Sequence, residues 1–413
     1  MDIIHATDFL PKYHKVWGGA ELAAYNTIKV LSSKENKQSI VSTKPEVMPK
    51  DDDFELFVAP VLSDYLGKFS DLLTFWAFDP LSYSYALKLF KKVKPEILHL
   101  HNFRGLSFSL VSAAKKLNLP VVFSIYDNWA FCPNHTLINK KSEFCRKFHN
   151  WHCFNCTYIH KKISAFFRKP LFNYFLKDID RFVVLSNNMM DLLSKYGIPK
   201  EKITFVPLPL SQATKDSDSI VSSIVEDNSI LFVGWASPHK GLKVAIEAFS
   251  QVVKKYPNSK IYVIETGQSP DYRNQIINFI ENNNIGDKVV FLGKKNNKEV
   301  QEYLKRVELV VVPEQWPIAW PIFLTEAMYS QKPIVASNIG DISFFIKDFS
   351  TGFTVDPKNH KEFAEKIIYC FENKDKVRVM GVKVREEIIK ICDDKNIYNK
   401  LISLYNEIAN KKD

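Results

Sequence analysis

Two short stretches combine residue types suited to gripping a phosphate-bearing ligand. The first covers residues 312–328, Val-Pro-Glu-Gln-Trp-Pro-Ile-Ala-Trp-Pro-Ile-Phe-Leu-Thr-Glu-Ala-Met. An apolar strand at 309–312 runs into a Pro/Trp-rich turn, and a helix is predicted over 322–331 with Glu326 in its first turns. Backbone N–H groups at a helix start are unpaired and point outward, which favours a bound anion such as a diphosphate. Pro321, Ile322 and Phe323 form that start. Glu326, further in, is suited to accept hydrogen bonds from sugar hydroxyls. The second stretch is Gly234-Trp235-Ala236-Ser237-Pro238-His239-Lys240-Gly241. A strand over 230–234 ends there, Ser237 suits a helix cap and Pro238 a first turn. A helix predicted over 240–256 puts Lys240 near its N-terminus, where a cation opposes the helix dipole. A bound anion removes that conflict. The plainer readings are that Lys240 reaches solvent along its stem and that Glu326 complements a dipole.

The first half of the chain carries three further clusters. Gly18-Gly19-Ala20-Glu21 precedes or opens a helix predicted over 20–31; paired glycines also serve as a plain turn. Leu98-His99-Leu100-His101-Asn102 ends a strand, with His101 and Asn102 beyond it. The strand over 121–125 leads into Tyr126-Asp127-Asn128-Trp129-Ala130-Phe131-Cys132-Pro133, where Asp127 alternatively only shapes the loop.

The elements that must position these residues alternate. Strands at 3–7, 96–100, 121–125 and 181–185 are interleaved with helices at 20–31, 106–117 and 188–196. After a polar Ser/Asp/Lys-rich connector at 207–228, strands at 230–234, 260–264, 288–292, 309–312 and 333–337 alternate with helices at 240–256, 272–283, 298–307 and 322–331. Such alternation implies parallel sheets flanked by helices. The fold class is thus α/β, with two doubly wound Rossmann-like domains. The expected domains are 1–207 and 208–394, with a C-terminal helix at 395–413 packing back on the first. Ligands of such sheets sit at the carboxyl ends of strands, where all of these clusters lie.

The 413 residues are enough for two or three domains. With 46% hydrophobic and 25% charged residues, each domain can bury an ordinary core. A formal charge of +10 favours anionic partners without choosing among nucleotides, phospholipid surfaces and nucleic acid. No stretch of about 18 apolar residues is present, so no transmembrane helix is expected. The N-terminus reads as a strand and not as a signal peptide, which gives a cytoplasmic expectation.

Taken in order, these motifs resemble the retaining glycosyltransferase family numbered four, whose fold is called GT-B and whose two domains face a central cleft. The resemblance runs from about residue 3 to 357. It implies transfer of a sugar from a nucleoside-diphosphate sugar to a hydroxyl of a glycan or lipid-linked acceptor. It implies that the N-terminal domain lies on the acceptor side, that the C-terminal one binds the nucleotide sugar, and that no divalent metal is needed. In the family's Gly-Arg-x-x-x-x-Lys-Gly stretch Arg and Lys grip the diphosphate; Gly234 and Lys240 match, and Trp235 replaces the Arg. In its Glu-x7-Glu hallmark Glu326 takes the ribose position, while Ile318 replaces the first Glu. Glu314, four residues earlier, is an alternative carboxylate. In its His-Asp-x-Trp-x-x-Cys-Pro loop Asp127 matches and Tyr126 replaces the His. The Gly-Gly-Ala-Glu and His-x-His-Asn motifs match at Gly18, Gly19, Glu21, His101 and Asn102. By this resemblance Lys240, Glu326 and Asp127 form the catalytic set. Gly18, Gly19, Gly234, Trp235, Pro321, Ile322 and Phe323 join Lys240 and Glu326 on the donor, and Glu21, His101, Asn102, Tyr126 and Asp127 border the sugar and acceptor.

Cys132, Cys145, Cys153 and Cys156 lie close together, the last two as Cys-x2-Cys. That spacing suits tetrahedral structural zinc, with His149 and His152 as spare ligands; an iron–sulfur cluster, disulfides and free thiols are the alternatives. Around them Lys140, Lys141, Phe144, Arg146, Lys147, Phe148, Trp151, Lys161, Lys162, Phe166, Phe167, Arg168 and Lys169 form a basic aromatic segment. Such a mixture can lie on an anionic membrane face or be a solvated surface. No dinucleotide fingerprint, P-loop or zinc-protease motif occurs. Asp216-Ser217-Asp218 imitates a metal-binding Asp-x-Asp but sits in the polar connector, where a structural role is expected. The competing functional readings are a non-catalytic nucleotide-sugar or glycan binder, an epimerase and a nucleic-acid binder; the last leaves the ordered motifs unexplained.

Overall fold

The computed structural model describes residues 1–15, 18–32, 36–48, 54–67, 77–135, 137–139, 145, 152–156, 162–219 and 225–410. They form two compact units, Met1–Pro209 with Asp394–Asp413, and Leu210–Asp393.

The first unit is built on a seven-stranded sheet. Its strands are β1 (Asp2–Ala6), β2 (Lys37–Ser42), β3 (Glu55–Val58), β4 (Ile97–Leu100), β5 (Val121–Ser124), β6 (Arg181–Val184) and β7 (Ile203–Phe205), in the order β3-β2-β1-β4-β5-β6-β7. All pairs are parallel. β4 and β5 are buried at every position, as expected of strands covered by helices on both faces. The C-terminal helix Asp394–Ala409 belongs here: Ile397, Leu401, Leu404, Tyr405 and Ile408 share a core with Ile3, Leu31, Ile97 and Val122. The abundant phenylalanines find a use in an aromatic layer, where Phe108 stacks on Trp129 and Phe175 and meets Phe103 and Phe172 edge-on.

The second unit has six parallel strands, β8 (Glu226–Ala236), β9 (Lys260–Gln268), β10 (Val289–Gly293), β11 (Val307–Val312), β12 (Ile334–Ser337) and β13 (Phe353–Val355), ordered β10-β9-β8-β11-β12-β13. Both sheets are doubly wound. The winding reverses between β1 and β4 in one unit and between β8 and β11 in the other. Such switch points open a crevice at the carboxyl ends of the two strands.

The fold class expected from the alternation is the one observed. β2, β3, β7 and β13 have no counterpart among the expected strands; β3, β7 and β13 are only three or four residues long. The first part of the connector, residues 207–219, is more ordered than its composition implies. It contains the helix Gln212–Asp216 and a 3-10 turn Ser217–Ser219, capped by Ser211 and anchored by the buried Thr214. Asp218 there is held by the Arg385 guanidinium at 2.5 and 3.0 Å and by the Tyr329 hydroxyl at 3.0 Å, which keeps its carboxyl below the usual range. It is an ion-pair partner. Among the described residues, no helix is long and apolar enough to cross a membrane.

Candidate active site

In the second unit the predicted donor residues lie on β8, the helix Ile322–Tyr329 and the two loops that leave β8 and β11 at the switch point. β8 ends at Ala236, and Ser237 leads into a 3-10 turn, Pro238–Lys240. Gly241, at φ 71°, then breaks the turn before the helix Leu242–Lys255 begins. Lys240 therefore precedes the helix, because proline opens the tighter turn and a left-handed glycine resets the chain. β11 delivers the second loop, residues 313–321, which ends at Pro321, the cap residue of the helix Ile322–Tyr329. No side chain caps that start.

The two loops are locked together. A Cβ on Gly241 would lie 1.8 Å from the Pro313 carbonyl oxygen, so only glycine permits the approach. The Gln315 N–H donates to the His239 carbonyl at 2.8 Å. Across this contact Lys240 Nζ donates to Glu314 Oε1 at 2.6 Å, and Trp316 Nε1 donates to Glu314 Oε2 at 2.8 Å. Lys240 also stands 5.7 Å over the Trp316 ring. Glu314 is 5% exposed. Burial and the neighbouring Lys240 push His239 down to about 4, so it is neutral near pH 7.

Glu326 is the fifth residue of its helix, beyond the first turn, and is buried. Its Oε1 accepts from Asn297 Nδ2 at 3.1 Å and Thr214 Oγ1 at 3.5 Å. Burial raises its carboxyl to about 7 despite these donors. Asn297 and Thr214 lie far from Glu326 in sequence, and nothing local announces them. Ile318 is tied by its backbone: its carbonyl accepts from the Asp341 N–H at 3.1 Å, and Gly340 packs against it. Trp235 is half exposed, with its ring against Gly267. Gly234 lies within β8, and Ile322 and Phe323 are partly exposed at the uncapped helix start.

The first unit gathers part of its motif residues at its own switch point. Gly18 caps the helix Gly19–Leu31, and its N–H donates to Glu21 Oε2 at 2.7 Å. Asn102 Nδ2 donates to the other oxygen of Glu21. Gly18, Gly19, Glu21 and Asn102 are thus one cluster. Asp127 lies apart from it: Oδ1 takes the Trp129 N–H at 2.8 Å in a loop turn, and Oδ2 faces His135 Nδ1 at 3.8 Å.

His101 and Tyr126 are committed to a buried chain that the sequence did not reveal. The β1–β4 register sets His5 beside His99. His5 Nε2 meets Gln38 Oε1 at 2.6 Å, His5 Nδ1 meets His101 Nε2 at 2.9 Å, and His101 Nδ1 meets Tyr126 Oη at 3.0 Å. Gln38 Nε2 donates to the Leu31 carbonyl, which makes its oxygen the acceptor. The protons then run one way: Tyr126 donates to His101, His101 to His5, and His5 to Gln38. His99 bonds Ser124 Oγ at 2.7 Å and Tyr405 Oη at 2.6 Å. Ligand atoms of His5, His99 and His101 lie within 4.8 Å of one another, but these hydrogen bonds already use both nitrogens of each ring. Burial lowers His5 to about 4 and His99 and His101 well below 6.5.

Those depressed values have a sign. Each ring is neutral when folded and titrates near 6.5 when unfolded, so stability present above pH 6.5 is lost as pH falls toward 4. Asp8, raised to about 7 by burial although Gly105 and Leu106 N–H groups bond it, acts oppositely over the same window. Within the first unit three depressed imidazoles oppose one raised carboxyl, so the net effect is a loss of stability as pH falls below 6.5. Hydrogen-exchange protection of β1 and β4 amides, corrected for intrinsic rate, is expected to fall at least tenfold from pH 6.5 to 5. A flat profile would contradict the neutral histidine chain.

Among the described residues, no three of Cys132, Cys145, Cys153 and Cys156 bring their sulfurs within 4.8 Å of one another. Cys132 and Cys153 are buried. His149, the His152 side chain and most of the basic aromatic segment lie outside the described residues. Arg168 does not join that face: it is 2% exposed, lies 3.8 Å over the Phe172 ring and donates to the Trp129 carbonyl, and burial lowers it to about 9.

Residues 215–387 match the family described as "Glycosyl transferases group 1", and residues 17–211 match "Glycosyltransferase Family 4". A lipopolysaccharide 1,2-N-acetylglucosaminetransferase of Salmonella typhimurium is 25% identical over 190 residues, covering 43% of this chain and 49% of that protein. The chain spans about a third to a half of the length of the first curated relatives it matches. A sucrose-phosphate synthase from Thermosynechococcus elongatus superposes with TM-score 0.72 at 15% identity, covering 98% of both chains. Anabaena HepE, solved in complex with UDP-glucose, gives 0.69 at 16% identity, covering 98% of this chain and 100% of that one.

Proposed function

We propose, for a chain that belongs to the family 4 glycosyltransferases of GT-B fold, that it moves a sugar from a nucleoside-diphosphate sugar to a hydroxyl of a glycan or lipid-linked acceptor, with retained anomeric configuration. The observation that carries this reading is that Lys240 and an uncapped helix start stand on the two chain segments that leave the β8/β11 switch point. Lys240 and the amides of Ile322 and Phe323 hold the diphosphate and stabilise charge on it as it leaves. Glu326 holds the ribose, and the departing diphosphate accepts the acceptor's proton, so the protein supplies placement and charge stabilisation. In the second unit the half-exposed Trp235 borders the donor; in the first unit the Gly18–Glu21–Asn102 cluster is the candidate acceptor-side surface. No divalent metal enters the step. HepE, solved with UDP-glucose, supports a UDP-sugar as the first donor to test.

A thermal-shift screen of UDP- and GDP-sugars, followed by a nucleoside-diphosphate release assay, tests the proposal. A ligand that binds the folded state raises the melting temperature. One sugar nucleotide is expected to do so and to be consumed when an acceptor is added; no shift with any of them contradicts the reading. Binding without product over long incubation would favour a non-catalytic binder, a reading supported by Ile318 and by the Tyr126 hydroxyl bonded inward to His101. Structural zinc at the cysteines and peripheral contact with an anionic membrane are separate proposals. Metal analysis of the purified protein and flotation with anionic vesicles at low salt decide them, a negative result removing each.

A further inference from the structure

We propose that Glu314 is a built-in counter-anion that occupies Lys240 in the unliganded protein and must release it to the donor, so that Glu314 sets donor affinity. The inference rests on the donor-site reading above and adds a residue that lies outside the matched motif positions. Glu314 is the second residue after β11. Its two oxygens are spent on Lys240 Nζ at 2.6 Å and Trp316 Nε1 at 2.8 Å.

The surrounding backbone holds this carboxylate in place. The Gly241–Pro313 approach and the Gln315–His239 hydrogen bond fix one side, and Gln315 Nε2 bonds the Pro313 and Pro357 carbonyls at 2.9 and 2.5 Å. Lys240 has more freedom: its side chain is 23% exposed, against 7% for Glu314. In a competition for the ammonium, the lysine moves and the carboxylate stays.

Charge counting gives the consequence. Residues 234–241 and 313–321 contain one lysine, no arginine and one carboxylate, and His239 is neutral near pH 7. The position where the resemblance expects a second cation is Trp235. The two loops therefore sum to zero, and a diphosphate approaching Lys240 meets a fixed like charge beside it. Such juxtaposition weakens binding. The opposite possibility, that Glu314 aims Lys240 at the ligand, predicts the opposite sign for its removal.

Calorimetry on the full chain with UDP, GDP and inorganic pyrophosphate distinguishes them. Glu314→Gln keeps the side chain's shape and an acceptor for Trp316 while removing the charge. It is expected to bind the diphosphate about tenfold more tightly than wild type, with a steeper loss of affinity as salt rises, because the site becomes net positive. Lys240→Met, alone or combined with Glu314→Gln, is expected to abolish that gain. If Glu314→Gln fails to fold, Glu314→Asp, which retracts the carboxylate, is expected to tighten binding to a smaller degree. Affinity equal to or weaker than wild type in the folded variant overturns the proposal. Failure of both wild type and variant to bind any diphosphate overturns instead the donor-site reading beneath it.

Discussion

Lys240→Ala is expected to lower kcat/KM for the sugar nucleotide by about 10²–10³-fold, with most of the loss in kcat. The magnitude is that of removing one preorganised group from developing charge in a water-poor site. No second cation on these loops can compensate, since Trp235 stands where an Arg is expected and His239 is neutral near pH 7. A loss confined to KM would mean that Lys240 holds the ground state and the leaving group equally. The substitution also strands Glu314, a 5%-exposed carboxylate whose counter-ion is Lys240. Leaving a buried charge unpaired costs about 3–5 kcal/mol, so lost activity could reflect lost fold. The double variant Lys240→Ala/Glu314→Gln removes both charges. It is expected to recover most of the stability and none of the turnover. Recovery of turnover in the double variant would remove Lys240 from the chemistry.

Gly241→Ala should destabilise the second unit by about 4 kcal/mol, at the upper end for a single substitution. Two costs add. Gly241 has φ 71°, where an L-residue pays about 1–2 kcal/mol. Its new Cβ would also lie 1.8 Å from the Pro313 oxygen and 2.8 Å from that carbonyl carbon, and both are backbone, so no side chain can move aside. Gly293→Ala is the control: its φ is 65°, but nothing lies within 4 Å of where the added methyl would stand, and only the backbone cost of about 1–2 kcal/mol applies. Denaturant midpoints of the two variants measure the difference. Equal midpoints would mean that the two loops are not held as described. Because Lys240 precedes Gly241 directly, Gly241→Ala is also expected to weaken donor binding where the folded protein survives.

Much of this was legible from periodicity. Apolar runs such as residues 309–312 mark strands buried on both faces, and the alternation with helices fixes a doubly wound class. Short edge strands such as β13 offer three residues of pattern, too few to separate from a loop. Tertiary context decided the rest. The sequence places Glu326 in a helix but not beside Thr214 and Asn297, which come from other elements. It places His101 beyond a strand, but the ring turns inward because His5 and Tyr126 offer partners on and beside neighbouring strands. Glu314 was visible as a spare carboxylate. Its pairing with Lys240 depends on a glycine contact between two loops distant in sequence, which no local pattern encodes.

In the proposed donor site a diphosphate is captured between the Lys240 turn and the helix start at Ile322. Hydrogen–deuterium exchange of the full chain, with and without a nucleoside diphosphate at saturating concentration, tests it most directly. New protection is expected at the amides of Ile322 and Phe323 and in the segment containing Lys240 and Gly241. Protection confined to other segments, with those amides exchanging as in the free protein, would contradict it.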